Sequence, residues 1–166
     1  MIKKRDMMKK VKTNALRILD QKHIDYQTRE YNYDEDHLSG EHIVGQVDLS
    51  EDEIYKTLVL KYKEGYLVCC IPVMAEIDLK KLAKESGHKS VEMLHQKDLL
   101  GLTGYIRGGC SPIGMKKLFP TYFQEDILLL EKVAVSAGKR GLQVILKPDD
   151  LISSVQGKCV DVIRRG

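Results

Sequence analysis

The sequence predicts an α+β fold, a mixed and partly closed β-sheet or barrel with helices around it. Three observations point there. Strand-like and helix-like segments interleave irregularly, several neighbouring strands lie close enough to pair as hairpins, and neither G-x-G-x-x-G nor G-x-x-x-x-G-K-[ST] follows a strand. Irregular interleaving disfavours a doubly wound sheet, and the missing glycine motifs remove support from nucleotide-cofactor folds.

Taken in order, "TNALRILDQKHI" offers Thr13 or Asn14 as a helix cap, and Ala15, Leu16, Ile18 and Leu19 form an apolar stripe. "DYQTREYNY" alternates, which predicts a strand ending near Tyr33. Residues 34–39 read as a polar loop and "GEHIVGQV" as a short helix. "DEIYKTLVLKYKEGYLVCCIPV" predicts a strand, a turn at Glu64-Gly65, and a second strand. "IDLKKLAKESG" sets Leu79, Leu82 and Ala83 on one helix face, with Gly87 at its end. "SVEMLHQKDLLGLTG" adds a short extended piece and a helix stopped by Gly101. "YIRGGCSPIG" reads as a strand running into a turn, and "DILLLEKVAVSAGKRGLQVIL" as two strands joined by a turn at 136–141. "KPDDLISSVQG" fits a helix with Pro148 in its first turn, and "CVDVI" a closing strand.

At 166 residues, 43% hydrophobic and 31% charged, the chain is expected to form one domain over 1–166 with a sizeable core. A net charge of +3 implies no strong nonspecific attraction to nucleic acid, although a local basic patch is compatible with it. The basic start "MIKKRDMMKKVK" has no apolar run of signal-peptide length, and "YLVCCIPVMA" and "DILLLEKVAV" fall far short of a membrane span. A cytoplasmic protein with no membrane partner is therefore expected. Cys69, Cys70, Cys110 and Cys159 lack C-x-x-C spacing, and His23, His37, His42, His88 and His95 are dispersed, so neither a metal nor a cofactor is expected. Cys69 and Cys70 would face opposite sides of a strand as small apolar residues.

Within "IYKTLVL" one residue breaks the pattern. Lys56 shares a face with Ile54, Leu58 and Leu60. Its stem could lie on apolar surface at a sheet edge with the ammonium in water. Alternatively the ammonium points into a pocket, where an unpaired charge calls for an anionic or strongly polar ligand. Thr57 faces the other way unless the strand is bulged. "GGCSPIG" (108–114) presents consecutive glycines that allow close backbone approach and N–H donation to a carbonyl or oxyanion, or else merely turn the chain. "SAGKRGLQV" (136–144) holds Lys139 and Arg140 between glycines, either as a solvated hairpin tip or as a phosphate contact. No Ser-His-Asp or Cys-His arrangement is readable, and nothing beside Cys110 would activate its thiol.

"KTLVL", "GYIRGGCSPIG" and "VSAGKRGLQVILKPDDLI", in this order, resemble the YbaK/EbsC family of freestanding aminoacyl-tRNA deacylases, related to the editing domain of bacterial prolyl-tRNA synthetases. "KTNALRILDQKHIDYQTREY" also looks like the start of those proteins, so the resemblance runs from about Lys12 to Ile163. It implies that Lys56 is the pocket lysine required for deacylation, followed by Thr57. It implies that Tyr31 is the pocket tyrosine, Gly108 the first glycine of the G-G-x-S-P loop and Ser136 the pocket serine. Gly109 and Ser111 would then help hold the amino-acid moiety, and Lys139 and Arg140 the tRNA. The loop at 34–45 does not clearly preserve the family's bulky residue, leaving Leu38 and Ser39 as candidates for it and the edited amino acid open between cysteine and alanine. The resemblance implies an aminoacyl-tRNA acceptor end as partner, with prolyl-tRNA synthetase as a second. In cysteine-editing members the substrate's own thiol attacks its ester. The rival from another class is a non-catalytic adaptor for tRNA or a synthetase on the same scaffold.

Overall fold

The computed structural model describes residues 12–38 and 40–165. The basic N-terminal run and Ser39 lie outside the described residues. The described residues fold into two β-sheets with four short α-helices, an α+β arrangement as expected. Helix α1 (Asn14–Gln21) begins at Thr13, whose hydroxyl accepts from Leu16 N–H at 3.2 Å and donates to Ala137 O at 2.5 Å. The same side chain therefore caps the helix and ties it to the chain at Ala137.

Strands β1 (Gln27–Glu30), β6 (Val133–Ser136) and β7 (Leu142–Leu146) form an antiparallel sheet ordered β1-β7-β6. Within it Ser136 lies opposite Gln143, and Gln143 opposite Arg29. The alternation read through Tyr33 ends as a ladder at Glu30; beyond it Tyr31 N–H still donates to Gly141 O at 3.0 Å.

The larger sheet is mixed. Its order is β4 (Glu92–Met93), β2 (Tyr55–Tyr62), β3 (Gly65–Pro72), β5 (Thr121–Gln124) and β8 (Lys158–Val160). β2 and β3 form the expected hairpin, with Tyr62 opposite Gly65. The connection is therefore Lys63-Glu64, one residue earlier than Glu64-Gly65. β5 lies parallel to both β3 and β8. An isolated parallel bridge, Ile54 to Ala134, joins the start of β2 to the smaller sheet and partly closes the structure.

Both faces of the β2–β3 hairpin are covered. Tyr55, Val68, Cys70 and Phe123 pack with Val135, Val144, α1 and helix α4 (Pro148–Ser154). Leu60, Leu67, Cys69 and Ile71 pack with Leu82 and Ala83 of helix α2 (Leu79–Ser86), which Gly87 ends in a left-handed conformation. Burial on two sides explains the unbroken apolar run "YLVCCIPV" and sends Cys69 and Cys70 to opposite cores.

Three expectations need correction. The first strand read in "DILLLEKVAV" is confined to Val133–Ser136, because Glu125–Leu129 forms a 3-10 turn. Helix α3 (Gln96–Thr103) runs through Gly101 and stops at Gly104, which takes the left-handed conformation (φ 88°) that a helix end favours. "YIRGGCSPIG" contains no strand, because Gly109 N–H closes a turn on Ile106 O at 2.9 Å and Gly108 sits at φ 86°. Among the described residues, no helix is long and apolar enough to cross a membrane.

Candidate functional site

A cavity of about 210 Å³ opens at the seam between the two sheets. Its apolar wall includes Leu38, Ile43, Ile54, Leu58 and Val73. Its polar wall is assembled from four separate stretches: Tyr31 just after β1, Lys56 and Thr57 on β2, Arg107 and Gly108 in the glycine loop, and Ser136 and Gln143 on β6 and β7. Of the residues singled out in the sequence, Lys56, Thr57, Tyr31, Gly108 and Ser136 thus share one cavity.

Lys56 is half-buried. The turn at Gly40–Ile43 covers its stem so closely that a Cβ on Gly40 would stand 3.9 Å from Lys56 Cβ and 2.6 Å from Val73 Cγ2. Among the described residues its ammonium makes no hydrogen bond or ion pair. Burial therefore pulls its pKa below the usual lysine value, with the charges of Glu41 and Glu76 opposing.

The glycine loop is braced from several sides. Arg140 Nε donates to Arg107 O at 2.9 Å, Asn14 Nδ2 to Gly114 O at 3.1 Å, and Ile113 N–H to Ser111 Oγ at 3.2 Å. Tyr31 donates its hydroxyl proton to Gly108 O at 3.3 Å. Burial raises the Tyr31 phenol pKa, while the Gly141 backbone and the Gln143 side chain pull it the other way. Gly108 approaches Leu38: a Cβ there would lie 3.3 Å from Leu38 Cδ2. Leu38, one of the two candidates in the 34–45 loop, therefore borders the cavity.

Gly109 and Ser111 sit elsewhere. Gly109 N–H is used by Ile106 O, and a Cβ on it would press on the Arg140 backbone nitrogen at 3.0 Å. Ser111 is fully buried, with its hydroxyl inside the turn. Neither lines the cavity. Cys110 does line it, and burial pushes its thiol up to about 12, so it carries no thiolate near neutral pH. Lys139 and Arg140 line a second, open cleft of about 340 Å³ with Tyr33 and Gln46. Tyr31 belongs to both spaces.

Gly40, Arg107 and Gln143 were not identified from the sequence. Gly40 and Arg107 carry no local signal of their own. Gln143 does carry one, a polar residue among Leu142, Val144, Ile145 and Leu146 in a strand with both faces packed.

The model of the aminoacyl-tRNA editing domain family matches residues 39–153. The EbsC protein of Enterococcus faecalis, provisionally described as a Cys-tRNA(Pro)/Cys-tRNA(Cys) deacylase, is 49% identical over 152 residues, covering 91% of this chain and 93% of its own. Two solved structures share the fold. A hypothetical protein is 18% identical with a TM-score of 0.82, covering 92% of this chain and all of its own. A protein provisionally described as a trans-editing enzyme for prolyl-tRNA synthetase is 19% identical with a TM-score of 0.79, covering 92% and 96%.

Proposed function

The chain belongs to the aminoacyl-tRNA editing domain family, and we propose that it is a trans-editing deacylase that releases cysteine from mischarged Cys-tRNA(Pro) and from Cys-tRNAs more generally. The observation that carries this reading is the Lys56 ammonium, half-buried and without a partner among the described residues in a cavity suited to a small aminoacyl group. A half-buried cation with no direct hydrogen-bond or ion-pair partner gains from a ligand that supplies one, and the terminal nucleotide of tRNA brings phosphate.

An aminoacyl ester is already activated, so its cleavage asks for positioning and for stabilisation of charge developing on the carbonyl oxygen. The Gly108 N–H makes no backbone hydrogen bond among the described residues, and it is the loop donor assigned to the ester carbonyl. Lys56 holds the terminal adenosine, Thr57 and Ser136 offer hydroxyls to the ribose or amino acid, and Tyr31 fixes the Gly108 peptide. The substrate's thiol supplies the nucleophile. Its sulfur bonds to the carbonyl carbon, the ester C–O bond breaks, the thiol proton ends on the ribose hydroxyl, and the four-membered cyclic thioester that leaves is opened by water to cysteine. Selectivity then rests on the thiol, because size discrimination contributes only about 1–3 kcal/mol per methylene. Association with prolyl-tRNA synthetase would place the protein where the mischarged tRNA is made.

The test is release of cysteine, serine and alanine from one tRNA(Pro). Fast release of cysteine with very slow release of serine and alanine is expected. Equal or faster release of alanine would move the chain to alanine editing with water as nucleophile, and tRNA binding without any release would make it an adaptor.

A further inference from the structure

Gln143 is 2% exposed and lines the cavity. It is the one described residue with a buried side-chain oxygen or nitrogen lacking any hydrogen-bond partner, and the atom is the amide oxygen, Oε1. Such atoms are rare in folded proteins, because an acceptor removed from water without a donor in exchange is a net loss. Its place on β7 fixes where it faces. Ile145, two residues along, packs with Ile54, Val73 and Ala134 in the small core beneath the cavity, whereas Val144 and Leu146 enter the other core. Gln143 therefore shares the Ile145 face, opposite Ser136.

We propose, building on the deacylase reading, that Gln143 Oε1 is the acceptor for the α-ammonium of the aminoacyl group and makes the site selective for a free amino group. The composition of the wall supports this choice. The described lining residues include two cations, Lys56 and Arg107, and no aspartate or glutamate. An incoming ammonium thus finds no carboxylate, and Gly108 O is already engaged by the Tyr31 hydroxyl. A neutral amide oxygen serves both ends of the substrate. It accepts from the ammonium, yet adds no negative charge that would pair with Lys56 and withdraw it from the nucleotide phosphate.

Two acyl groups separate this role from a structural one: cysteinyl, and 3-mercaptopropionyl, which keeps the thiol and lacks the amino group. Both are placed on the same tRNA(Pro). Gln143→Leu should lower kcat/KM for cysteinyl-tRNA by about 10- to 100-fold, the range for a hydrogen bond to a charged group, and leave 3-mercaptopropionyl-tRNA nearly unchanged. The wild type should prefer the cysteinyl ester by a similar factor. The variant's melting temperature should change little, since the unpartnered oxygen is removed together with the side-chain contact to Tyr31, and Gln143→Met should behave in the same way. Equal losses on both acyl groups, or a marked drop in melting temperature for both variants, would overturn the role given to Gln143 and leave the deacylase reading standing. Failure of the wild type to release cysteine would sink the deacylase reading and this inference with it.

Discussion

Under the proposed function, Lys56 sets activity against stability. Its side chain is half-buried, its ammonium has no hydrogen-bond or ion-pair partner among the described residues, and burial lowers its pKa. Lys56→Met keeps the stem and removes the charge. Deacylation should fall by about 100-fold, the scale of losing the charged contact that positions the terminal adenosine and with it the ester. The melting temperature should rise by about 2–4 °C for each kcal/mol of penalty relieved. The sign of the pH dependence follows from the lowered pKa. The charged lysine disfavours the fold below that pKa, and the penalty is relieved as pH climbs toward the unfolded value, so the gap in melting temperature narrows in alkali. The rate ratio of wild type to variant should shrink over the same rise, as the ammonium is lost. Parallel melting and single-turnover measurements across pH check both trends; a ratio independent of pH would detach the rate from the charge. Cys110 offers the opposite case. It borders the same cavity, but its thiol is pushed up to about 12. Cys110→Ala should retain wild-type deacylation, and a loss with the fold intact would make this thiol a participant.

At the scale of elements, the legible parts were those with a local cause. The Thr13 cap, the Gly87 stop, the Pro148 start and the β2–β3 hairpin each depend on neighbours in sequence. β5 was missed because "TYFQ" is four residues long and buried on both sides, so it shows no alternation. It is nevertheless the strand that carries the parallel pairings to β3 and β8. Its Phe123 is fully buried against the β8 approach, where a Cβ on Gly157 would stand 2.7 Å from Phe123 Cδ2. The ring cannot retreat within a packed core. Gly157→Ala should therefore destabilise the protein by about 1–3 kcal/mol, the usual cost of overpacking, while leaving the distant cavity's activity intact in the folded fraction. Urea unfolding measures this, and an unchanged midpoint would show that the chain there shifts freely.

Across the whole molecule, the site draws on β2 of one sheet, β6 and β7 of the other, the segment after β1 and the glycine loop, brought together where Ile54 bridges to Ala134. No periodicity could reveal that meeting, because it is a product of tertiary closure; only the ordered motifs pointed to Tyr31, Lys56, Gly108 and Ser136 as a set. Gln143 escaped notice because its polarity gains meaning only from the missing donor around it. The same long-range view bears on tRNA. With a net charge of +3, the chain offers little general attraction, so contact with the acceptor end should be local. The cleft holding exposed Lys139 and partly buried Arg140 adjoins the cavity through Tyr31, so under the proposed function phosphate contacts there would lie beside the ester. Arg140 also braces Arg107 O, so Lys139 is the cleaner probe. If Lys139 neutralises one phosphate of the single-stranded end, Lys139→Ala should flatten the plot of log kcat/KM against log salt by about 0.7 and leave saturated turnover unchanged. Exchanging tRNA(Pro) for tRNA(Cys) should alter neither slope nor rate much, because the contacts lie at the shared terminus. A salt series on wild type and variant decides the matter: identical slopes would remove Lys139 from the tRNA path, and a large preference between the two tRNAs would demand a second docking surface beyond this cleft.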